Sequence, residues 1–268
     1  MWLFNGWRLF GKSLNGKAGR RGRARRKRGP GRPTERMSQQ QARCCLIEIL
    51  EERLLLSATA SPTFVIQSHS SAGIAPNTSG GVAPIDPAQM RAAYGVSQIS
   101  FNGTAGTGAG QTIAIVDAYN DPNIISDASS FSSRFGLQQF NVSGGPTFKV
   151  LNENGGTSLP SNSSPGGWDV EEALDVEWAH SIAPEANIIL FEAASNSYSD
   201  LMAAVATAAD YSGVSAVSMS WGGGEFSSET SFDSSFLTPS GHQGVTFLAS
   251  TGDDGTPAGY PALSPNVV

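Results

Sequence analysis

The chain has 268 residues, 39% of them hydrophobic, which is enough for one large or two small domains whose core needs no disulfide or metal to fold. Its net charge of −6 conceals a division, because residues 1–57 hold 14 of the 17 lysines and arginines, whereas residues 58–268 hold 3 against 19 acids. The acidic body would repel a polyanion, which argues against nucleic acid as a partner.

Residues 1–59 are predicted to be a basic, disordered leader. The run "RRGRARRKRGPGRP" (20–33) is interrupted by glycine and proline and cannot bury a core. Such a run suits a nucleic-acid tail or a solvated, cleavable leader, and the acidic body favours the leader. Glu48 and Glu51 break the apolar stretch of a standard signal peptide. However, "LEERLLLSA" (50–58) resembles a leader segment of many large exported proteins of planctomycete-type bacteria, which implies an extracellular or cell-surface location.

Both cysteines, Cys44 and Cys45, lie in the leader. The body is therefore expected to contain no disulfide, no zinc site and no cysteine nucleophile. No stretch approaches the ~20 apolar residues of a membrane span, so none is expected.

Residues 60–85, rich in serine, glycine and proline, are predicted to be a linker, followed by one domain over 86–268. Apolar runs predict strands, and amphipathic runs between them predict helices. The predicted strands are 112–119, 147–151, 187–194, 214–221 and 245–251, and the predicted helices are a short one at 87–96, then 121–136, 168–182, 197–213 and most of 228–244.

This alternation predicts an α/β domain with a mostly parallel central sheet covered by helices on both faces. In such sheets, ligands and catalytic groups collect at the carboxyl ends of the strands. Those ends present Asp117, Trp221 and Asp253.

The helix "WDVEEALDVEWAHSI" (168–182) carries five carboxylates within nine positions. At 100° per residue, Glu171 and Asp175 share a stripe with Leu174, Trp178 and Ile182. Two acids one turn apart on an apolar stripe must share a proton or find a hydrogen-bonding partner. Such a pair can keep one carboxylate available as a general base. Asp169, Glu172 and Glu177 are expected to cap or solvate the helix.

Other candidate residues are weaker. His180 points away from the Glu171–Asp175 pair and is expected at the surface, as is His242 in the loop "SGHQG". Ser158 follows Gly-Thr, as many serine nucleophiles do, but it lies in a loop with no helix after it. "SWGGGE" (220–225) lacks the spacing of a phosphate-binding loop.

Several separated motifs match one family in order and spacing. The motifs are "IAIVDAYNDPN", "EEALDVEWAHSIAP", "VSMSWGGGEFSSET", "GVTFLASTGDDG" and "YPALSPNVV". Over roughly residues 86–268 they resemble the catalytic domain of the sedolisins, the serine-carboxyl peptidases. The resemblance implies a subtilisin-like three-layer domain, incomplete at its C-terminal end, and an exported serine-type endopeptidase active in acid.

The resemblance also implies residue roles. Glu171 takes the place of the general base and Asp175 that of the acid orienting it. Asp253 matches the oxyanion-stabilising aspartate, although "TGDDG" replaces the usual Gly-Asp-Ser-Gly. Trp221 matches a tryptophan near the site, and Asp117 an acidic residue extending the network.

The nucleophilic serine and the calcium loop of the family are expected beyond Val268, so this chain alone is expected to be inactive and to bind no metal. Calcium is expected for the complete domain, with protein or peptide substrates and a monomeric state. A long folded propeptide, usual in the family, is not evident before residue 86.

Two alternatives remain open. A subtilisin-type peptidase would need a His-Gly motif on a helix after the second strand, and none is present. A catalytically inactive surface or binding module with a peptidase-like fold is the non-enzymatic alternative.

Overall fold

The computed structural model describes residues 58–62, 85–162, 167–253, 255 and 257–268. The basic leader, both cysteines and residues 63–84 of the predicted linker lie outside the described residues. Residues 58–62, around the predicted boundary of leader and linker, contact the rest of the domain and contain the first strand.

The strands are β1 (Ser61–Pro62), β2 (Ser100–Phe101), β3 (Thr104–Ala105), β4 (Thr112–Ala118), β5 (Phe148–Asn152), β6 (Asn187–Ala193), β7 (Val214–Met219), β8 (Trp221–Gly222) and β9 (Thr246–Ala249). The α-helices are α1 (Pro87–Ala93), α2 (Ile124–Phe135), α3 (Trp168–Ile182) and α4 (Tyr198–Asp210). Two 3₁₀ helices cover Val96–Gln98 and Glu229–Phe236.

A five-stranded parallel sheet forms the centre of the domain, in the order β5-β6-β4-β7-β9. Neighbouring strands are joined by crossover connections, as parallel pairs require, and β4 lies between β6 and β7, which follow it in the chain. The sheet confirms the predicted α/β class. Among the described residues, no helix is both long and apolar enough to cross a membrane.

Helices cover both faces of this sheet. Ile115 of β4 and Leu190 of β6 point to one face, where they pack with Ile124 of α2 and Val176 of α3. Val116, the next residue of β4, points to the other face, where a second cluster includes residues of α4. Each fully buried aliphatic side chain contributes about 1.5–3 kcal/mol, so the two clusters hold the three layers together.

The helix boundaries follow local signals. Asp86 caps α1 in a capping box with Gln89, and Ser197 caps α4 by accepting from the Asp200 amide. Gly136 ends α2 in the left-handed region, at φ 67°, as glycine commonly does.

Two predicted elements differ from the structure. The helix predicted over most of 228–244 is a 3₁₀ helix that ends at Phe236. The strand predicted over 214–221 ends at Met219, and Trp221 belongs to the separate strand β8, which pairs with β1.

Candidate active site

Two buried carboxyl groups stand at the carboxyl ends of the central strands. Asp117 of β4 and Glu192 of β6 are register partners, and both are fully buried. Register partners in a parallel pair point to the same face, so these two acids continue the row formed by Ile115 and Leu190. The apolar layer beneath α3 therefore ends in the two carboxyl side chains of Asp117 and Glu192.

Helix α3 lies over this edge and adds three more carboxyls. Glu171 and Glu172, in its first turns, are buried, and Asp175 one turn later is half-buried. The described part of the chain has only three lysines or arginines, and none of them forms an ion pair with these acids. The acids must therefore be neutralised by protons or stabilised by hydrogen bonds.

Asp175 has a specific partner. The Ser220 hydroxyl, between β7 and β8, donates to Asp175 Oδ1 at 2.8 Å. Burial raises the pKa of Asp175 to about 6, and the hydrogen bond from Ser220 opposes that rise because it stabilises the ionised form.

Glu171 holds its proton more tightly. Burial, followed by the negative charges of Asp175 and Asp253, raises its pKa to about 8. Within the described residues, Glu171 Oε2 is buried and has no hydrogen-bond partner.

Asp253 belongs to an open pocket beside α3. Its side chain is exposed, and it interacts electrostatically with Glu171. The pocket is lined by Gly222–Gly224 after β7, by Ser250–Asp253 after β9, and by Ala258 and Gly259.

Trp221 anchors β8 beside the acids. It is fully buried, its indole Nε1 donates to the Val116 carbonyl at 2.7 Å, and its ring meets Tyr198 edge-on at 6.1 Å. Val116 precedes Asp117, so this bond ties the glycine-rich wall of the pocket to the strand that carries Asp117.

Asp117 lies among the other acids. Burial, followed by the charges of Asp175, Glu172, Glu171 and Glu192, raises the pKa of Asp117 well above its usual range. Neither of its carboxyl oxygens has a partner among the described side chains and backbone groups. The neutral form is therefore the stable one.

Glu172 departs most from the sequence-based prediction. It was expected to solvate the helix, but it is fully buried, and its Oε2 accepts from the Asp121 amide at 3.1 Å. Burial and the charge of Glu192 raise the pKa of Glu172 to about 9. Burial, followed by the charge of Asp121, raises the pKa of Glu192 to about 8. In the orientation that satisfies both groups, the Asn120 amide donates to Glu192 at 3.0 Å.

The other two acids of α3 differ from each other. Asp169 is exposed, as predicted. Glu177 is half-buried rather than solvated, and burial together with the charge of Asp127 raises its pKa to about 7.

The prediction of a surface position for His180 is wrong. His180 is buried, its Nε2 lies 2.8 Å from the Gln138 carbonyl, and its ring packs on Phe140 at 4.1 Å. Burial lowers its pKa, so the neutral ring acts as a core side chain.

His242 and Ser158 lie in loops, as predicted. His242 Nε2 is 3.3 Å from Asp210 Oδ1, and the Ser158 carbonyl accepts from Asn152. Neither contact involves an acid of the site.

The described part of the chain contains no group of three or more His, Cys, Asp or Glu residues that could hold a metal ion. The calcium implied by the family resemblance therefore has no ligand set among these residues, and no step of the chemistry below depends on it.

The fold and the acids at the strand ends define an α/β domain with a carboxyl-based site beside a glycine-walled pocket. No protein-family model matches the chain. It is 34% identical to kumamolisin from Bacillus sp. (strain MN-32) over 176 residues, which cover 60% of this chain and 30% of kumamolisin.

A solved structure has the same fold. Pseudomonas sedolisin, a serine-carboxyl proteinase complexed with two molecules of pseudo-iodotyrostatin, matches with a TM-score of 0.50 and 24% identity, over 62% of this chain and 49% of that one. The chain is thus similar in sequence to kumamolisin and has the subtilisin-like fold of Pseudomonas sedolisin, in agreement with the resemblance seen in the sequence motifs. It spans less than a third of the length of kumamolisin and about half that of the sedolisin chain.

Proposed function

We propose that this chain carries most of the catalytic acids of an exported, acid-active serine endopeptidase of the sedolisin class. Glu171 is the general base, Asp175 orients it, and Asp253 stabilises the oxyanion. Trp221 and Asp117 shape the site. No serine of the described residues is assigned as the nucleophile.

The observation that carries this proposal is the buried Glu171 Oε2, which has no partner among the described residues while the other acid of the pair is held by Ser220. A serine hydroxyl donating to Oε2 would stabilise the ionised form and so lower the pKa of Glu171 from about 8. The same contact places the hydroxyl proton within reach of the base.

The reaction needs one carboxyl group that is ionised and another that is protonated. Glu171 must be ionised to accept the serine proton, whereas Asp253 must be protonated to donate a hydrogen bond to the developing oxyanion. Asp253 is exposed in the pocket and interacts electrostatically with Glu171. The base can therefore work in acid only after the serine contact has lowered the pKa of Glu171 from about 8 towards the ordinary glutamate range, in which a carboxylate stays partly ionised where a histidine would be protonated.

The test uses the protein encoded by the complete reading frame that contains these residues, with an acid-denatured protein as substrate. Glu171→Gln is expected to lower kcat/KM by at least about a hundredfold, because general-base catalysis contributes 10²–10⁴ in rate. Asp169→Asn, exposed on the first turn of the same helix, is the matched control and should retain activity. Equal activity of Glu171→Gln and wild type would refute the proposal.

The proposal extends to the setting of the enzyme. Protein or peptide substrates, an extracellular or cell-surface location in a bacterium and a monomeric state are consistent with the relationship to the sedolisins and with the leader motif.

A further inference from the structure

The turn after β4 contains a strained residue next to the candidate active site. Tyr119 has a φ of 71°, which lies in the left-handed region. A residue other than glycine enters that region at a cost in free energy, and it stays there only where surrounding contacts enforce the conformation. The turn begins two residues after Asp117. Contacts that hold the turn therefore also hold the end of β4 that carries Asp117.

Two buried glutamates provide such contacts. Glu172 of α3 accepts through Oε2 from the Asp121 amide at 3.1 Å, and a side-chain amide atom of Asn120 lies 3.0 Å from Glu192. On its other side, Asn120 is 3.0 Å from the side chain of Asn162. Asn120, Asp121, Glu172 and Glu192 thus form one corner, at which α3, β6 and the turn after β4 meet.

Every charged side chain that acts on this corner is acidic, within the described residues. The acids around Glu172 and Glu192 are Asp117 of β4, Asp121 of the turn, Asp127 of α2, Glu153 after β5 and Asp169 of α3. No lysine or arginine in the described ranges forms an ion pair with any of these groups. A negative charge in the corner therefore has no positive partner there.

The corner needs protons in order to close. An ionised carboxylate only accepts hydrogen bonds, whereas a protonated carboxyl group also donates one. Glu172 Oε1 is buried and has no partner among the described groups, and the charges of Glu172 and Glu192 would repel each other. Burial raises the pKa of Glu172 to about 9 and that of Glu192 to about 8, in agreement with this need. Both carboxyl groups are therefore neutral while the corner is closed.

Water can reach the corner without disturbing the core. Glu192 lines a cavity of about 110 Å³ at the carboxyl ends of β5 and β6. The rim of this cavity includes Asn154 and Ser158, both of which are exposed. The apolar cluster between the sheet and α3 does not contribute to its lining. A charged Glu192 can thus be hydrated from this side while the sheet stays folded.

We propose that Glu172 and Glu192 form a proton-dependent latch on the turn after β4. In acid the two neutral carboxyl groups hold the turn closed. When each loses its proton to water, their repulsion and the strain at Tyr119 open the turn, together with the end of β4 that carries Asp117. The candidate active site is then complete only in acid. This consequence for catalysis rests on the proposed function, whereas the latch itself does not.

The direction of the pH dependence follows from proton linkage. Each glutamate binds its proton more tightly in the closed corner than in an open, hydrated one, where its pKa is near 4.5. The stability that the latch gives to the closed form is therefore fully present below about pH 4.5 and is lost as the pH rises to between about 8 and 9.

The test is amide hydrogen exchange on the 268-residue chain, measured near pH 5 and near pH 8 and expressed as protection factors. Glu172→Gln keeps a neutral acceptor for the Asp121 amide at both pH values. Near pH 8 the Asp121 amide should be at least about tenfold more protected in this variant than in wild type, because only wild type has a carboxyl group to ionise. Near pH 5 the two proteins should show equal protection.

Glu177→Gln is the matched control. It removes a half-buried acid from the same helix, one that interacts with Asp127 and has no contact with the corner. Protection of the Asp121 amide should be that of wild type at both pH values. Low concentrations of urea distinguish a local opening from global unfolding. They should leave exchange of the Asp121 amide unchanged and accelerate that of the Ile115 amide in the core.

Two results would overturn the latch. One is equal protection of the Asp121 amide in wild type and Glu172→Gln near pH 8. The other is acceleration of the Asp121 and Ile115 amides by urea to the same extent, which would mean that the turn opens only with the whole domain. Glu192→Gln should protect the turn as Glu172→Gln does, and it decides the question if Glu172→Gln fails to fold. None of these measurements needs hydrolysis, so failure of the latch and failure of the proposed peptidase activity are separate results.

Discussion

Glu171 and Glu172 are adjacent in sequence but belong to two different clusters of carboxyl side chains. Glu171 interacts with Asp175 and Asp253 beside the pocket, whereas Glu172 interacts with Glu192 and the Asp121 amide deeper in the domain. Buried carboxyls cost stability, whereas aliphatic residues at these positions would stabilise the core. Their presence on the face beneath α3 is therefore better explained by chemistry than by folding.

Asp117 interacts electrostatically with both clusters of carboxyl side chains. The charges of Glu171 and Asp175 and those of Glu172 and Glu192 all act on it. Its register partner across the sheet is Glu192, while the indole of Trp221 is bonded to the residue before it. A change of charge in either cluster therefore changes the pKa of Asp117, which is shared by both.

Removal of the Ser220 hydroxyl tests the orientation of Asp175. Ser220→Ala deletes the hydrogen bond to Asp175 Oδ1 and should raise the pKa of Asp175 above about 6, by roughly one unit, since a pKa unit equals about 1.4 kcal/mol. The measurement is a carbon NMR titration of labelled aspartate carboxyls. Ser215→Ala on β7, whose hydroxyl donates to the Thr112 carbonyl, should leave that titration unchanged. An unchanged pKa in Ser220→Ala would show that burial alone determines it.

At the scale of elements, the central strands could be predicted because each is an apolar run bounded by turn residues. β4 and β6 differ from the predicted ranges by a single residue at one end. β1 could not be predicted, because residues 58–62 have no apolar run. Their extended form comes from backbone pairing with Asn196 and Gly222, which are far away in sequence.

Helix α3 was predicted in extent, from Trp168 to Ile182, but its buried face was misplaced. Four of the buried residues, Trp168, Glu172, Val176 and His180, lie at a spacing of four, beside the buried Glu171 and Ser181, while Leu174 is 38% exposed. Glu172 and His180 carry ionisable side chains, so an apolar-periodicity argument assigns them to solvent. Their burial depends on the Asp121 amide and the Gln138 carbonyl, partners that only the fold brings near.

The close approach of two strands behind the pocket gives a prediction for Gly259. Gly223 and Tyr260 exchange backbone hydrogen bonds of 3.1 and 3.0 Å, and a Cβ on Gly259 would overlap the Gly223 carbonyl oxygen. Gly259→Ala should therefore lower the free energy of unfolding by at least about 2 kcal/mol, measured by urea denaturation.

The matched control for this change is Gly224→Ala. A Cβ at Gly224 would meet no atom within 4 Å, so the free energy of unfolding should change by less than about 0.5 kcal/mol. Similar losses for the two variants would mean that the glycine-rich wall is not packed as described.

For the whole molecule, the buried acids predict that the domain is most stable in acid. Burial raises the pKa values of Glu171, Glu172 and Glu192 to about 8, 9 and 8, against 4.5 for an ordinary glutamate. Each group binds its proton more tightly in the folded than in the unfolded state. The free energy of unfolding should thus fall as pH rises from about 5 to 9.

The substitution Glu172→Gln measures how much Glu172 contributes to the pH dependence of the free energy of unfolding. Glutamine remains neutral and can still accept from the Asp121 amide, so the decline between pH 5 and 9 should be shallower in urea unfolding series. Asp169→Asn should follow the wild-type curve because its side chain is exposed. A curve for Glu172→Gln that matches wild type would mean that Glu172 is not held neutral in the folded domain.

The excess of acidic residues in residues 58–268 is consistent with function in acid. Residues 58–268 carry 3 basic and 19 acidic residues, and protonation at low pH relieves their mutual repulsion. Stability and proposed catalysis are therefore favoured by the same condition.

The pH profile of peptide hydrolysis tests the central claim most directly. It is measured on the protein encoded by the complete reading frame, as wild type and as Glu171→Gln. The carboxyl pair Glu171 and Asp175 predicts maximal kcat/KM in acid and at least about a hundredfold loss in Glu171→Gln across the profile. Maximal activity near pH 8, or activity that survives Glu171→Gln, would contradict the account.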